Sequence, residues 1–211
     1  MERELYDQHR KMQETHWWFC GKKEIVIDFA EHQAGLMRSS SPMQILDIGC
    51  GMGLMLDALK LYGNVYGMDA EDVAVQYCRA NNETIKDSIK LGALPNEVPF
   101  EKGTFDFIFA LDVLEHVYDD ESAMKTIFNL LKPGGKLVAT VPALMSMWSA
   151  HDELNHHFRR YEKNEFYEKI TGAGFKVLKM SFYNSLLFLP AYCVRKVKNA
   201  FKVKTSDISS E

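Results

Sequence analysis

The segment that constrains this chain most is the turn Asp47-Ile48-Gly49-Cys50-Gly51-Met52-Gly53, which closes the apolar run beginning at Gln44. Glycine at alternate positions lets a backbone turn sharply and approach a ligand with no Cβ in the way. Placed between a strand and a helix, such a turn opens a crossover unit, and ligands of doubly wound sheets lie outside the carboxyl ends of the strands. The rest of the sequence repeats that alternation. Strand patterns cover 44–48, 64–69, 105–110, 136–141 and 175–182; helical patterns cover 52–61, 70–81, 121–131 and 163–171. The spacing predicts an α/β fold: a doubly wound, mainly parallel sheet with helices on both faces.

Three regions follow. Residues 1–40 form an amino-terminal helical cap, with an aromatic knot at Trp17-Trp18-Phe19, a break at Gly21 and a second helical run over 24–37. Residues 41–185 form the α/β domain, carrying an insertion at about 143–162, and 186–211 read as a basic helix and tail. An apolar content of 46% excludes a disordered linker. A net charge of −4 speaks against a polyanion binder, so no nucleic-acid partner is expected. The four cysteines are scattered without a C-x-x-C pair, which suits a reducing cytoplasm rather than a zinc knuckle or disulfide scaffold. The amino terminus lacks a signal-peptide core, and no apolar window reaches membrane-spanning length, so a cytoplasmic protein is expected.

Asp69 ends the second strand pattern, where a carboxylate accepts two ribose hydroxyls; with the glycine turn it points to a nucleoside. The dinucleotide fingerprint G-x-G-x-x-G fits poorly, because the third glycine falls one residue early and Leu54 stands in its place. Asp47 at the mouth of the turn repels a pyrophosphate and attracts an ammonium. That charge pattern favours S-adenosylmethionine, a phosphate-free adenosine bearing an ammonium and a sulfonium, over NAD. A nicotinamide-dependent oxidoreductase and a non-catalytic nucleoside-binding module stay open as alternatives. A P-loop is excluded, since no Lys-Ser or Lys-Thr follows the glycines.

At this point the chain resembles the class I S-adenosylmethionine-dependent methyltransferases. The motifs, in order, are Ile45 to Gly53, Val65 to Asp69, Val98 to Asp106, Leu111 to Val117 and Leu131 to Leu137. The resemblance implies the Rossmann-like methyltransferase fold, with S-adenosylmethionine as cofactor and S-adenosylhomocysteine as product. It implies that Asp47, Gly49 and Gly51 face the methionine part, that Asp69 holds the ribose, and that Ala70, Ala93 and Leu94 flank the adenine. Where many members carry an acid, this chain has Ala93, so backbone groups of Ala93 or Leu94 are the expected readers. Leu111 is expected under the donor methionine, and His116 near the cofactor or the substrate mouth. The stretch His16 to Lys22 resembles the cap of a subgroup acting on small-molecule or glycan-related substrates. It places Trp18 and Lys22 at the cofactor, with Lys22 standing where an arginine is common. The two tryptophans read equally as anchors of a helix on the core. One departure is that 175–182 supplies a sixth strand while 186–204 reads as a helix, so either the seventh strand is missing or the chain is a shortened one.

Methyl transfer from a sulfonium is an in-line displacement whose main demand is positioning. A hydroxyl acceptor also needs a base, for which His151 and His157 are the candidates. Trp148, Arg160 and Tyr161 are expected on the substrate side. No metal is expected, because His151 and His156 do not share a helical face as in H-E-x-x-H. The acceptor is read as a small or lipid-linked molecule. The apolar then basic run over 186–204 is a candidate for peripheral contact with an anionic membrane surface.

Overall fold

The computed structural model describes residues 10–12, 15–38, 40–183, 188, 192 and 194. Five strands form one parallel sheet: β1 (Met43–Ile48), β2 (Gly63–Asp69), β3 (Ile89–Leu91), β4 (Phe105–Leu111) and β5 (Leu131–Thr140), in the order β3-β2-β1-β4-β5. The connections run outward from β1 in both directions, so the switch point of a doubly wound sheet lies between β1 and β4.

Successive strand residues face opposite sides, and here both sides are apolar. Ile45, Val65, Phe107, Phe109 and Val138 point into one core, shared with Leu56, Leu59 and Val75. Leu46, Ile48, Met68, Ile108 and Ala110 point into the other, shared with Met124 and Ile127. Helices α2 (Leu54–Leu59) and α3 (Asp72–Asn81) cover the first face; α4 (Asp120–Leu130) and α6 (Lys163–Gly172) cover the second. The short α5 (Ala150–Leu154) lies in the insertion.

Helix α1 (Trp17–Phe29) departs from the expected break at Gly21: it runs through that residue, loosens into a π-type turn over Ala30–Ala34, and ends at Gly35 with φ 79°. Glycine inside a helix costs only about 1 kcal/mol relative to alanine, and Val26 and Ala30 bury the helix against the core. Strand β3 has no counterpart in the sequence reading; three residues are too few to show a period.

The expected sixth strand is corrected. Residues 175–182 pair with no strand, and β5 is the edge of the sheet among the described residues. The strand-like pattern there has another cause. Phe175, Val177 and Met180 pack on the second core, with the Phe175 ring in edge contact with Phe128 at 5.1 Å, so the stretch is rich in apolar residues without a ladder partner. A hollow of about 960 Å³ lies along β5 between Phe29, Phe166 and residues 174–183. Most of the expected helix over 186–204, including its whole basic run, lies outside the described residues, as does the question of a seventh strand.

Candidate functional site

All three glycines of the turn take left-handed backbone angles, with φ 71° at Gly49, 51° at Gly51 and 88° at Gly53. Space is equally limiting: a Cβ at Gly49 would lie 2.6 Å from Val113 Cγ2, and one at Gly53 2.9 Å from Cys78 Sγ. The turn is pinned to β2, since the Gly49 and Cys50 amides both donate to the Met68 carbonyl at 2.7 and 3.1 Å. Asp69 is held at the end of β2 by amides on both oxygens, Gly51 N–H to Oδ2 at 2.8 Å and Glu71 N–H to Oδ1 at 3.0 Å. Each oxygen keeps a lone pair for a hydroxyl. Ala70 follows it, exposed.

Asp47 is 3% exposed at the carboxyl end of β1. Burial, reinforced by the Asp69 charge and opposed by Lys22, pushes its carboxyl up to about 8. Such a group is stabilised by a cation brought beside it. Lys22, from α1, pairs with Asp112, the residue after Leu111 at the end of β4. Asp112 sits at φ 54° and also accepts from Thr140 Oγ1 at 2.8 Å. Burial raises the Asp112 carboxyl, but Lys22 and Thr140 together outweigh it and hold it below the usual range. The cap thus reaches the strand ends through Lys22. Trp18 is half-buried and donates its amide to His16 Nδ1 at 3.3 Å. Trp17 is 63% exposed, so it is no core anchor.

Beyond β3, Ala93 and Glu97 exchange both backbone hydrogen bonds at 2.9 Å. That pairing occupies the Ala93 amide, which shifts the expected backbone reader to Leu94.

The insertion is built on two buried carboxylates. Asp152, fully buried, accepts from Arg160 Nε at 2.7 Å, from the Ser149 amide at 2.9 Å in a capping box, and lies 3.0 Å from His157 Nδ1. Burial acts to raise the Asp152 carboxyl, yet His157 and Arg160 hold it well below the usual range. Asp120, at the start of α4, binds Arg159 at 2.8 Å, Lys169 at 2.8 Å and the Tyr161 hydroxyl at 2.9 Å. Two substrate-side expectations change here. Arg160 is 7% exposed and occupied by Asp152 and the Ala143 carbonyl, and Tyr161 is 1% exposed with its hydroxyl on Asp120 and Leu114. Both brace the insertion. Trp148 stays half-buried beside it.

His116 and His157 meet edge to face with ring centroids 4.7 Å apart, and His151 lies 6.4 Å from His157. Burial, reinforced by the neighbouring His157, lowers the His116 pKa and so favours its neutral imidazole. Within reach of His116 and His157 is Glu115, completely buried, its carboxyl pushed up to about 9 by burial and by Asp112. Asp112, Glu115 and Asp152 did not come out of the sequence reading. The signals for them were their positions inside the Leu111–Val117 motif and, for Asp152, the third place after a capping serine.

A five-stranded parallel Rossmann-like sheet with an acid-guarded glycine turn defines the fold of S-adenosylmethionine-dependent methyltransferases. Comparison with known proteins agrees: residues 46–139 match a family described as "Methyltransferase domain". A probable S-adenosylmethionine-dependent methyltransferase of Mycolicibacterium smegmatis is 26% identical over 167 residues, 78% of this chain and 61% of that protein. The mitochondrial ubiquinone biosynthesis O-methyltransferase of Homo sapiens is 35% identical over 125 residues, 56% of this chain and 33% of that one. Among solved structures, the phosphoethanolamine N-methyltransferase 2 of Haemonchus contortus in complex with S-adenosyl-L-methionine superposes with a TM-score of 0.62 at 21% identity, covering 87% of this chain and 45% of its own. Residues 46–139 of this chain are therefore similar to the methyltransferase domain, within a Rossmann-like methyltransferase fold. The chain spans between about a third and three fifths of the length of these curated relatives.

Proposed function

We propose that this protein transfers the methyl group of S-adenosylmethionine to an oxygen or nitrogen of a small or lipid-linked acceptor. The observation that carries the reading is Asp47, a buried carboxyl beside a left-handed glycine turn, with Asp69 presented for a ribose one strand away. When bound, the cofactor supplies a sulfonium-activated methyl group. In this reading Asp47 faces the ammonium, and Gly49 and Gly51 leave room for the methionine chain. Asp69 takes the ribose hydroxyls; Ala70 and Leu94 border the adenine, and Leu111 lies under the methionine. Lys22 exchanges Asp112 for the cofactor carboxylate, and Trp18 closes the cap. Trp148 lines the acceptor side. His151 and His157 are the bases for a hydroxyl acceptor, which must lose a proton as the new bond to carbon forms.

The acceptor preference rests on likeness alone: relatives bear the names of an O-methyltransferase and an N-methyltransferase. A lipid-linked acceptor goes with membrane-surface contact through 186–204, and co-sedimentation with anionic vesicles, reversed by salt, tests that contact. No helix among the described residues is long and apolar enough to cross a membrane.

Calorimetry tests the core of the proposal. S-adenosylhomocysteine binds and NAD does not; the opposite ranking refutes the reading and favours an oxidoreductase. Asp69→Ala weakens S-adenosylhomocysteine by roughly 10- to 100-fold, the range for losing hydrogen bonds to a charged acceptor, and an unchanged affinity removes the ribose assignment. Binding without transfer of a labelled methyl group to any soluble or lipid fraction of a cell extract identifies a non-catalytic module.

A further inference from the structure

We propose that Glu115, His116 and His157 form a binding site for a divalent transition-metal ion at the acceptor side of the crevice. One ligand atom from each of the three lies within 4.8 Å of the other two, close enough for a single ion to touch all three. The decisive member is Glu115. Its side chain is completely buried, and neither carboxylate oxygen has a hydrogen-bond partner from another residue. Buried carboxylates are ordinarily paired, hydrogen-bonded or metal-bound.

Neighbouring cations do not fill that role. Lys22 is paired with Asp112, and Arg160 is taken up by Asp152 and the Ala143 carbonyl. Both imidazoles are, by contrast, already oriented as ligands. Asp152 holds His157 through Nδ1, which leaves Nε2 for an ion. The backbone of Asn155 holds one nitrogen of His116 and leaves the other. A carboxylate or carbonyl behind a ligating histidine fixes its tautomer and ring plane and raises its basicity. Two imidazoles and one carboxylate suit Zn²⁺, Mn²⁺ or Fe²⁺, and three protein ligands leave coordination positions open.

This set differs from the His151 and His156 pair that the spacing argument set aside. It is assembled from the turn after β4 and the end of the insertion, which the Phe158 amide joins by donating to the Glu115 carbonyl at 2.8 Å. Asp112, which pairs with Lys22 just past the carboxyl end of β4, stands three residues before Glu115, which places the cluster beside the crevice. The ion's role, though not its binding, rests on the methyltransferase reading: an acceptor hydroxyl on an open position is acidified as metal-bound water is. With both nitrogens of His157 engaged, His151 alone is left as the base: it takes the hydroxyl proton, and the oxygen pair then forms the bond to the methyl carbon as the carbon–sulfur bond breaks.

Binding of Zn²⁺ and Mn²⁺ to the chelator-treated full chain, followed by calorimetry and by Mn²⁺ electron paramagnetic resonance, tests the site. One equivalent is expected. Glu115→Gln and His157→Ala each weaken binding at least 100-fold, Asp152→Asn weakens it 10- to 100-fold, and His156→Ala, an exposed histidine in the same loop, changes it less than threefold. Glu115→Gln preserves shape, and its circular dichroism and S-adenosylhomocysteine affinity report whether the fold is intact. A wild-type chain that takes up no ion, or a Glu115→Gln chain that binds within threefold of wild type, overturns the site. A wild-type chain that binds S-adenosylhomocysteine but no ion refutes this inference and leaves the methyltransferase proposal standing; one that binds the ion but not S-adenosylhomocysteine separates them the other way.

Discussion

Asp47 is where charge and position meet most sharply. Its carboxyl lies near 8 in the folded chain against 3.8 for the free side chain. Between roughly pH 4 and pH 8 the folded protein therefore holds a proton that the unfolded chain has released, and the stability of the ligand-free protein falls as pH rises through that window. Urea titrations should show this slope, and Asp47→Asn should flatten it. An ammonium placed beside Asp47 favours the charged form, so S-adenosylhomocysteine binding at pH 7 should release a proton. Calorimetry in buffers of different ionisation enthalpy reads that release directly, and it should vanish in Asp47→Asn. Gly49 supplies a steric counterpart. Alanine there meets both a left-handed backbone, costing about 1–2 kcal/mol, and Val113 at 2.6 Å. Gly49→Ala should lower the melting temperature and the cofactor affinity together.

At the scale of elements, the insertion over 143–162 is fastened by carboxylates rather than by an apolar face. Asp120 ties Arg159, Tyr161 and Lys169, from two separate elements, to the start of α4. Breaking a buried ion pair by removing one partner costs about 3–5 kcal/mol, and the partial exposure of Arg159 and Lys169 sets the low end here. Asp120→Asn should thus cost about 3 kcal/mol by urea unfolding at neutral pH. Burial acts to raise this carboxyl, but its partners hold it below the usual range. Its contribution is then present above about pH 4 and lost as pH falls through the native value. The gap between wild type and Asp120→Asn should accordingly narrow in acid. Helix α4 was plain in the sequence because its apolar period extends over many residues; of β5 only the part from Lys136 was, since residues 131–135 read there as a helix end and turn. β3 was not, and residues 175–182 read as a strand from apolar residues that pack on the second core without pairing.

For the whole molecule, two cores share one sheet, so neither face folds alone. Ile108→Ala and Phe109→Ala point to opposite cores from adjacent positions. Each should cost about 2–5 kcal/mol and shift a single urea transition without splitting it; a biphasic curve would show that the faces unfold separately. What the sequence by itself determined is local in origin. Alternating strand and helix periods dictated a doubly wound parallel sheet, because both faces of its strands must be buried. Three glycines marked the turn, because only glycine tolerates those backbone angles at no cost. Asp47 and Asp69 were legible because each sits next to a strand end in the chain. The tertiary structure alone decided the rest. Glu115 and His157 are separated in the chain by α4 and β5, and their meeting depends on how the insertion docks. Arg160 and Tyr161 carried the chemistry of substrate residues in their sequence, but burial against Asp152 and Asp120 made them braces. A side chain's type states what it can bind; only packing states what is left for it to bind.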